Sequence, residues 1–328
     1  MGSVPDALPL PLSLLDRSRT RGGEPDSRAL SSTVARARRA EALGYHRFWV
    51  AEHHGVPGIA SGSPAVLAAA VAAGTGRIRV GSGGVMLPNH RPLVVAEQFA
   101  VLAGLYPGRV DLGLGRSLGF TAPVRAALGA TRAEPADFLQ AIDEVRDYLH
   151  GRGPVTAMPR VPAPPIFVLA GARGLELAAA AGLPVVVGGP VLGSPAPIER
   201  YRRDFRPAGP DDRPHVIISV MTMVARSRAT ARELLLPEAW AMAASRTTGA
   251  FPPLEDVAAI RSRTLTARQE STVESFLAQA VYGAPTEVAA ELAALVARTG
   301  ADEVMATTST HDRAEQDAAD AALAELFG

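Results

Sequence analysis

Residues 77–116, RIRVGSGGVMLPNHRPLVVAEQFAVLAGLYPGRVDLGLGR, constrain the fold of this chain more than any other stretch. Two apolar, strand-like runs, 77–87 and 109–115, flank one helix-like run, 92–105. A helical crossover joins parallel strands in one right-handed unit, and parallel sheets of this kind bury both faces. Both strands end in glycine and polar residues. Ligands in α/β folds sit at the carboxyl ends of strands, so Gly83, Gly84, Asn89 and Arg116 fall on the expected functional rim.

The same rhythm runs through the rest of the chain. Eight strands are expected, near residues 10, 48, 80, 112, 168, 185, 219 and 304, each followed by a helix-like run. Helices are expected over 64–73, 92–105, 136–150, 176–181, 197–205, 228–245, 285–299 and 312–327, and Gly44 is expected to close the first helix. Eight alternating units in 328 residues predict an α/β fold, a closed (β/α)8 TIM barrel in one domain spanning 1–328. A doubly wound open sheet is the competing arrangement, and the lack of G-x-G-x-x-G after the first strand weighs against it. Thr247–Arg268 breaks the rhythm with Gly249, Pro252, Pro253 and scattered charges. It reads as an insertion or mobile lid near strand seven.

Composition narrows the chemistry. All 33 basic residues are arginine, so Schiff-base and pyridoxal phosphate catalysis and a Walker A loop lack their lysine. Cysteine is absent, which removes thiol nucleophiles, disulfides and thiolate metal sites. The 33 acidic residues balance the basic ones, leaving no global field to attract nucleic acid or an anionic membrane. No uninterrupted apolar span is long enough to cross a bilayer, and no signal-peptide pattern opens the sequence, so a cytoplasmic location is expected.

Glu52-His53-His54 ends the second strand. Adjacent strand residues point to opposite sides, so His53 shares a face with Trp49 and Ala51, and His54 shares one with Val50 and Glu52. The two histidines are therefore not expected to hold one metal, and no metal is expected elsewhere. Either a rim imidazole moves protons here, or this is a polar strand terminus bonded to a neighbouring loop. Gly83-Gly84 marks a close approach of backbone to ligand or a bend in the barrel wall. Arg116 is an anion holder or an ordinary surface ion pair. Ala170-Gly171-Ala172-Arg173-Gly174 opens a helix whose free N–H groups make a phosphate nest, or it is a small-residue turn. Asn89-His90-Arg91 could also bind ligand, or it is an ordinary loop.

Together, AEALGYHRFWVAEHH (40–54), VGSGGVMLPNHRPLVVAEQFAVLAGLYPGRVDLGLGR (80–116) and GAPTEVAAELAALVARTGADEVMATT (283–308) resemble the bacterial-luciferase-like flavin-dependent monooxygenases. The resemblance implies a (β/α)8 barrel binding reduced FMN at its carboxyl rim, with a separate flavin reductase supplying FMNH2 and O2 as cosubstrate. It places His53 as the catalytic histidine, which moves a proton on a C4a-peroxyflavin that inserts one oxygen atom into a small organic substrate. It gives Gly83-Gly84 a non-prolyl cis peptide, Arg116 a flavin contact, and Ala170, Gly171, Ala172 and Arg173 the phosphate loop. A homodimer is the common assembly. The chain departs from the pattern at Gly171-Ala172-Arg173, which lacks hydroxyl side chains, and at Gly188-Gly189-Pro190, which lacks bulk beside the flavin. Both departures imply FMNH2 exchanging as a substrate. An F420-dependent oxidoreductase on the same barrel and a non-catalytic flavin-binding member are the competing readings. The arginine- and alanine-rich composition points to a GC-rich genome and a place in secondary metabolism.

Overall fold

The computed structural model describes residues 7–129, 134–207, 209 and 212–328. Among these residues the strands are β1 (Leu12–Asp16), β2 (Arg47–Val50), β3 (Arg79–Ser82), β4 (Val85–Met86), β5 (Val110–Gly115), β6 (Ile166–Ala170), β7 (Val185–Gly188), β8 (Val216–Val224), β9 (Val281–Gly283) and β10 (Glu303–Thr307). The helices are α1 (Ser27–Ala42), α2 (Pro64–Ala73), α3 (Pro92–Leu105), α4 (Ala122–Leu128), α5 (Pro135–His150) and α6 (Ala172–Ala181) in the first half. They continue with α7 (Ala196–Asp204), α8 (Arg228–Thr248), α9 (Val257–Arg261), α10 (Ala267–Leu277), α11 (Pro285–Thr299) and α12 (Arg313–Ala324).

The barrel runs β1-β2-β3-β5-β6-β7-β8-β10, and β10 pairs with both β8 and β1, so every edge is closed by a parallel neighbour. All eight expected strands lie in it. The short β4 pairs with β5, and β9 extends the pairing of β8. Helices α2, α3, α5 and α11 begin with proline, whose preset φ suits the first turn and whose missing N–H costs nothing there. Gly44 follows α1 with φ +85°, where an L side chain would be strained. Three helices were not legible: α4 buries no residue, α9 is five residues long and buries only Ile260, and α10 buries only Thr272, Val273 and Leu277, so none carries the broad apolar stripe of a core helix.

Outward-facing strand residues such as Leu14, Phe48, Leu112, Val168, Val187 and Ile218 pack beneath the helices as the main core. Inside the barrel the side chains form layers. At the amino-terminal end, Arg47 donates to Asp111 Oδ2 at 2.8 Å and to Glu303 Oε1 at 2.9 Å, and Ser13 Oγ adds a 2.5 Å bond to Glu303. The middle layer is apolar: Trp49, Phe167, Val186, Ile217 and Met305, with Leu15 and Leu169 against them. Trp49 Nε1 donates to Asp111 Oδ2 at 3.0 Å, which sets the height of the indole. Gly81 makes room for it, since a Cβ there would stand 2.8 Å from Nε1. Continuing the two-residue alternation, the top layer contains Gly83, Gly115, Gly188 and Ser219, so the mouth at the carboxyl ends stays open.

The first and last βα units are stitched by one buried arginine. Arg36 on α1 donates to Asp16 Oδ2 at 2.8 Å on β1, and its Nε and Nη2 reach Asp320 on α12 at 2.7 and 2.8 Å. Burial alone would raise the Asp16 carboxyl, but the Arg36 charge and its hydrogen bonds hold it below the ordinary range. Removing Arg36 leaves two buried carboxylates unpaired. Arg36→Ala is expected to destabilise the protein by about 3–5 kcal/mol, read as a lowered urea midpoint. A shift worth under about 1 kcal/mol would show that the pair does not hold the ends together.

Candidate active site

Each functional side chain stands at the carboxyl end of a barrel strand. A cavity of about 520 Å³ opens there, lined by Glu52, His53, His54, Gly83, Gly84, Met86, Gly115, Arg116, Phe120 and Leu169 among others. His53, Gly83, Gly84 and Arg116, which the sequence reading scattered over three strand ends, therefore surround one space. The Gly83-Gly84 peptide is cis, as expected. A Cβ on Gly83 would collide with Leu15 Cδ1 and lie 3.3 Å from the Trp49 ring, and one on Gly84 would lie 2.8 Å from Leu169 Cδ1. The floor of the cavity is thus bare backbone set directly on Trp49 and Leu169. Arg116 is partly buried, and among the described residues it has no ion-pair or hydrogen-bond partner, so the surface ion-pair reading falls away.

The two histidines meet opposite environments. His53 is partly buried, and its Nδ1 is a buried atom without a hydrogen-bond partner. Burial, then the nearby Arg17 and Arg19 charges, push its pKa down to about 4, so the imidazole is neutral at neutral pH. Those arginines pair with the buried Glu238 of α8, Arg17 at 2.7 Å and Arg19 at 2.9 Å. His54 turns the other way, its Nε2 lying 2.5 Å from Glu52 Oε1. His90, from the turn after β4, places its own Nε2 2.7 Å from the same oxygen, while Glu52 Oε2 accepts the Met86 N–H at 2.8 Å. Burial raises the Glu52 carboxyl, but the hydrogen bonds from His90, Met86 and His54 outweigh it and hold the group below its ordinary value.

Sequence reasoning named His90 only within a stretch that could bind ligand, and it missed that Glu52 joins His90 to His54. The available signal was the shared face of Glu52 and His54 together with a third imidazole after the neighbouring strand. The proposed phosphate loop lies apart from the cavity. Ala170 turns into the core beneath the helices, whereas Gly171, Ala172 and Arg173 are exposed at the start of α6, which has no side-chain N-cap. Only Leu169, one residue earlier, reaches the cavity wall.

The segment read as an insertion or lid runs on from the end of α8 and packs against the rim. Phe251 and Leu254 are buried, the Gly58 N–H donates to Phe251 O at 2.8 Å, and Leu254 N–H donates to Thr20 O at 2.9 Å. Phe251 packs edge-on against Phe120 of the cavity wall, with ring centroids 6.2 Å apart. A second, larger cavity of about 710 Å³ opens across the rim, lined by Gly188, Ser219, Met221, Met242, Phe276 and Thr307 among others.

The sequence profile described as luciferase-like monooxygenase matches residues 11–303. The chain belongs to the luciferase-like monooxygenase family. This makes it an oxidoreductase of the monooxygenase class, in agreement with the resemblance read from the motifs. Within the family it is 37% identical over 317 residues to the protein YvbT of Bacillus subtilis (strain 168), covering 93% of each chain. It is 34% identical over 312 residues to the luciferase-like monooxygenase of Escherichia coli (strain K12), covering 92% of each. The crystal structure of apo-MsnO8 superposes with a TM-score of 0.88 at 31% identity, covering 97% of this chain and 98% of that one. More distant luciferase-like barrels share the fold alone. They include the oxygenating constituent of 3,6-diketocamphane monooxygenase in complex with FMN, at 17% identity and TM-score 0.68 over 97% of each chain. They also include an F420-dependent secondary alcohol dehydrogenase with an F420-acetone adduct, at 16% identity and TM-score 0.69 over 98% of this chain and 100% of that one. Among the described residues no helix is long and apolar enough to cross a membrane.

The depressed His53 links the site to stability. The unfolded imidazole, near its ordinary 6.5, takes up a proton before the folded one does at about 4. Stability contributed by neutral His53 is therefore whole above pH 6.5 and is lost as the pH falls towards 4. The loss amounts to at most about 3 kcal/mol. His53→Gln is expected to flatten the acid limb of the stability–pH curve by that amount, measured by urea unfolding at successive pH values; an unchanged limb would show that His53 is not held neutral by the fold.

Proposed function

We propose that this protein is an FMNH2-dependent two-component monooxygenase that inserts one oxygen atom of O2 into a small organic substrate. The observation that carries the reading is the cavity with a bare Gly83-Gly84 floor, a partnerless Arg116 at its edge and an orphaned His53 nitrogen in its wall. A flat isoalloxazine ring suits a wall without side chains, and an electron-rich ring edge suits a free guanidinium. The uncapped start of α6, with Gly171, Ala172 and Arg173 exposed, suits the phosphate. The residues fit the group.

When bound, reduced FMN supplies the electrons that activate O2. The chain's own residues do the rest. Arg116 and the α6 amides hold and orient the ligand. His53, neutral and lacking a partner at Nδ1, offers the cavity a hydrogen bond and can take a proton transiently. The Phe120–Phe251 pair and the packed 251–254 segment keep bulk water from the reacting atoms. The apolar wall of Met221, Met242 and Phe276 in the larger cavity suits a carbon skeleton. A separate flavin reductase would supply FMNH2. Homodimer assembly is supported by the exposed apolar side chains of Val66 on α2 and Val94, Val101 and Leu105 on α3. A role in secondary metabolism is part of the same proposal, as is a cytoplasmic location.

The test mixes protein with FMNH2 anaerobically and follows the flavin spectrum through an oxygen pulse. The expected result is an absorbance that persists and matches neither reduced nor oxidised FMN. Immediate return to free oxidised FMN, combined with tight F420 binding, would replace this reading by F420-dependent hydride transfer; flavin binding without oxygen consumption would make the protein a non-catalytic member. Arg116→Ala is expected to weaken FMN binding at least about tenfold, the cost of one charged hydrogen-bond partner, in a fluorescence titration. Unchanged affinity would remove Arg116 from the site.

A further inference from the structure

A groove of about 460 Å³ lies between α1 and α12, where the loops after β1 and β10 leave the barrel, and it shares no lining residue with the cavity at Gly83-Gly84. Six arginines line it against two carboxylates, Asp16 and Asp317. Four of the six are paired: Arg36 with Asp16 and Asp320, Arg39 with Asp317, Arg313 with Glu24, and Arg19 with Glu238. Arg21 and Arg28 are left without a carboxylate partner among the described residues. Arg21 is only 5% exposed. Its Nε donates to His311 O at 2.7 Å and its Nη2 to Thr310 O at 2.8 Å and Gln316 Oε1 at 2.7 Å, which fixes the guanidinium and leaves Nη1 unbonded. These neutral acceptors satisfy its N–H groups and leave its charge uncompensated. Burial and then the Arg313 charge push its pKa down to about 10, so Arg21 stays charged at neutral pH in surroundings that an anion would relieve. Ser309 from the loop after β10 also lines the groove; it is 6% exposed, and among the described residues its Oγ makes no hydrogen bond. A buried guanidinium, an unbonded hydroxyl and a second free guanidinium at the mouth, on Arg28, form a donor set suited to a doubly charged oxyanion.

We propose that this groove binds a phosphoryl group, free or carried on a small polar molecule, and that its occupation fastens the loop after β1 to the segment packed on the rim. Arg21 Nη1 and the Arg28 guanidinium donate to the phosphoryl oxygens, and Ser309 Oγ adds a third donor. Ser32 and Gln316 continue the wall, which suits a hydroxylated body better than a hydrocarbon one. The loop that carries Arg21 is already joined to the rim segment. The Gly22 N–H donates to Leu254 O at 2.8 Å, and the Leu254 N–H donates to Thr20 O at 2.9 Å. Arg19, on the same loop, stacks its guanidinium 4.5 Å from the centre of the Phe251 ring. An anion that holds Arg21 therefore holds one side of the pairing on which Phe251 and Leu254 depend. The proposal goes beyond the monooxygenase reading and does not depend on it.

The test titrates the full chain, without flavin, with inorganic phosphate and with ribose 5-phosphate in a calorimeter. Saturable binding is expected that weakens at least about tenfold in Arg28→Glu and at least about threefold in Ser309→Ala, the cost of losing donors to a charged group. Arg28 is exposed and its side chain makes no bond, and Ser309→Ala removes a single oxygen, so both variants are expected to keep the native urea midpoint. Tighter binding of ribose 5-phosphate than of inorganic phosphate would support a phosphoryl group carried on a polar molecule, and equal affinity would support the free ion. With either ligand at saturation, hydrogen exchange at the Gly22 and Leu254 amides is expected to slow at least about threefold. No binding of either ligand would overturn the site. Binding that Arg28→Glu and Ser309→Ala leave intact would place the anion elsewhere, the start of α6 included, and would overturn it equally. Binding without slower exchange at Gly22 and Leu254 would overturn the link to the rim segment.

Discussion

The carboxylate of Asp111, buried inside the barrel, sets the height of everything above it. It takes Arg47 from the neighbouring wall and Trp49 from two residues further along the same strand. With the indole fixed there, Gly81 must lack a side chain, and Gly83-Gly84 can only lie as bare backbone across the ring. The cavity is the space left above that floor. A polar layer deep in the barrel thus shapes a site at the opposite end, through rigid stacking of a few large and absent side chains.

The lack of lysine is consistent with how the interior is held. Arg36 serves Asp16 and Asp320 at once, Arg47 serves Asp111 and Glu303, and Arg17 with Arg19 encloses Glu238. A planar guanidinium presents several donors in fixed directions, so one cation can tie two segments together while every buried oxygen keeps a partner. An ammonium on a flexible stem would satisfy fewer of these oxygens at the same burial. The same property makes the partnerless Arg116 conspicuous, since the other arginines nearest the barrel interior are engaged.

Strand alternation divides the labour of two adjacent histidines. His53 points towards the side where Arg17 and Arg19 discourage a further positive charge, and His54 points to the side where its Nε2 meets the Glu52 carboxylate. One step along the backbone is enough to separate a neutral hydrogen-bonding imidazole from one fixed by a carboxylate. Both still face a single cavity, because the chain leaves regular strand geometry just after Val50.

Much of this was legible in the chain itself. The eight strand positions, the parallel βαβ unit at 77–116, the rim location of His53, Gly83, Gly84 and Arg116, and the family all follow from local patterns of apolar spacing, glycine and motif. The sequence alone also determined which chemistries are unavailable, because a missing lysine or cysteine is missing in any fold. Only the tertiary structure decided that His90, 38 positions from Glu52, joins it and His54. It alone decided that Phe251 packs on Phe120, that Ala170 faces the core, and that Ala172 and Arg173 stand outside the cavity. Periodicity tells a residue which face of its own element it occupies, but the meeting of distant segments depends on strand register and on the volumes packed between them, and these exist only once the barrel has closed.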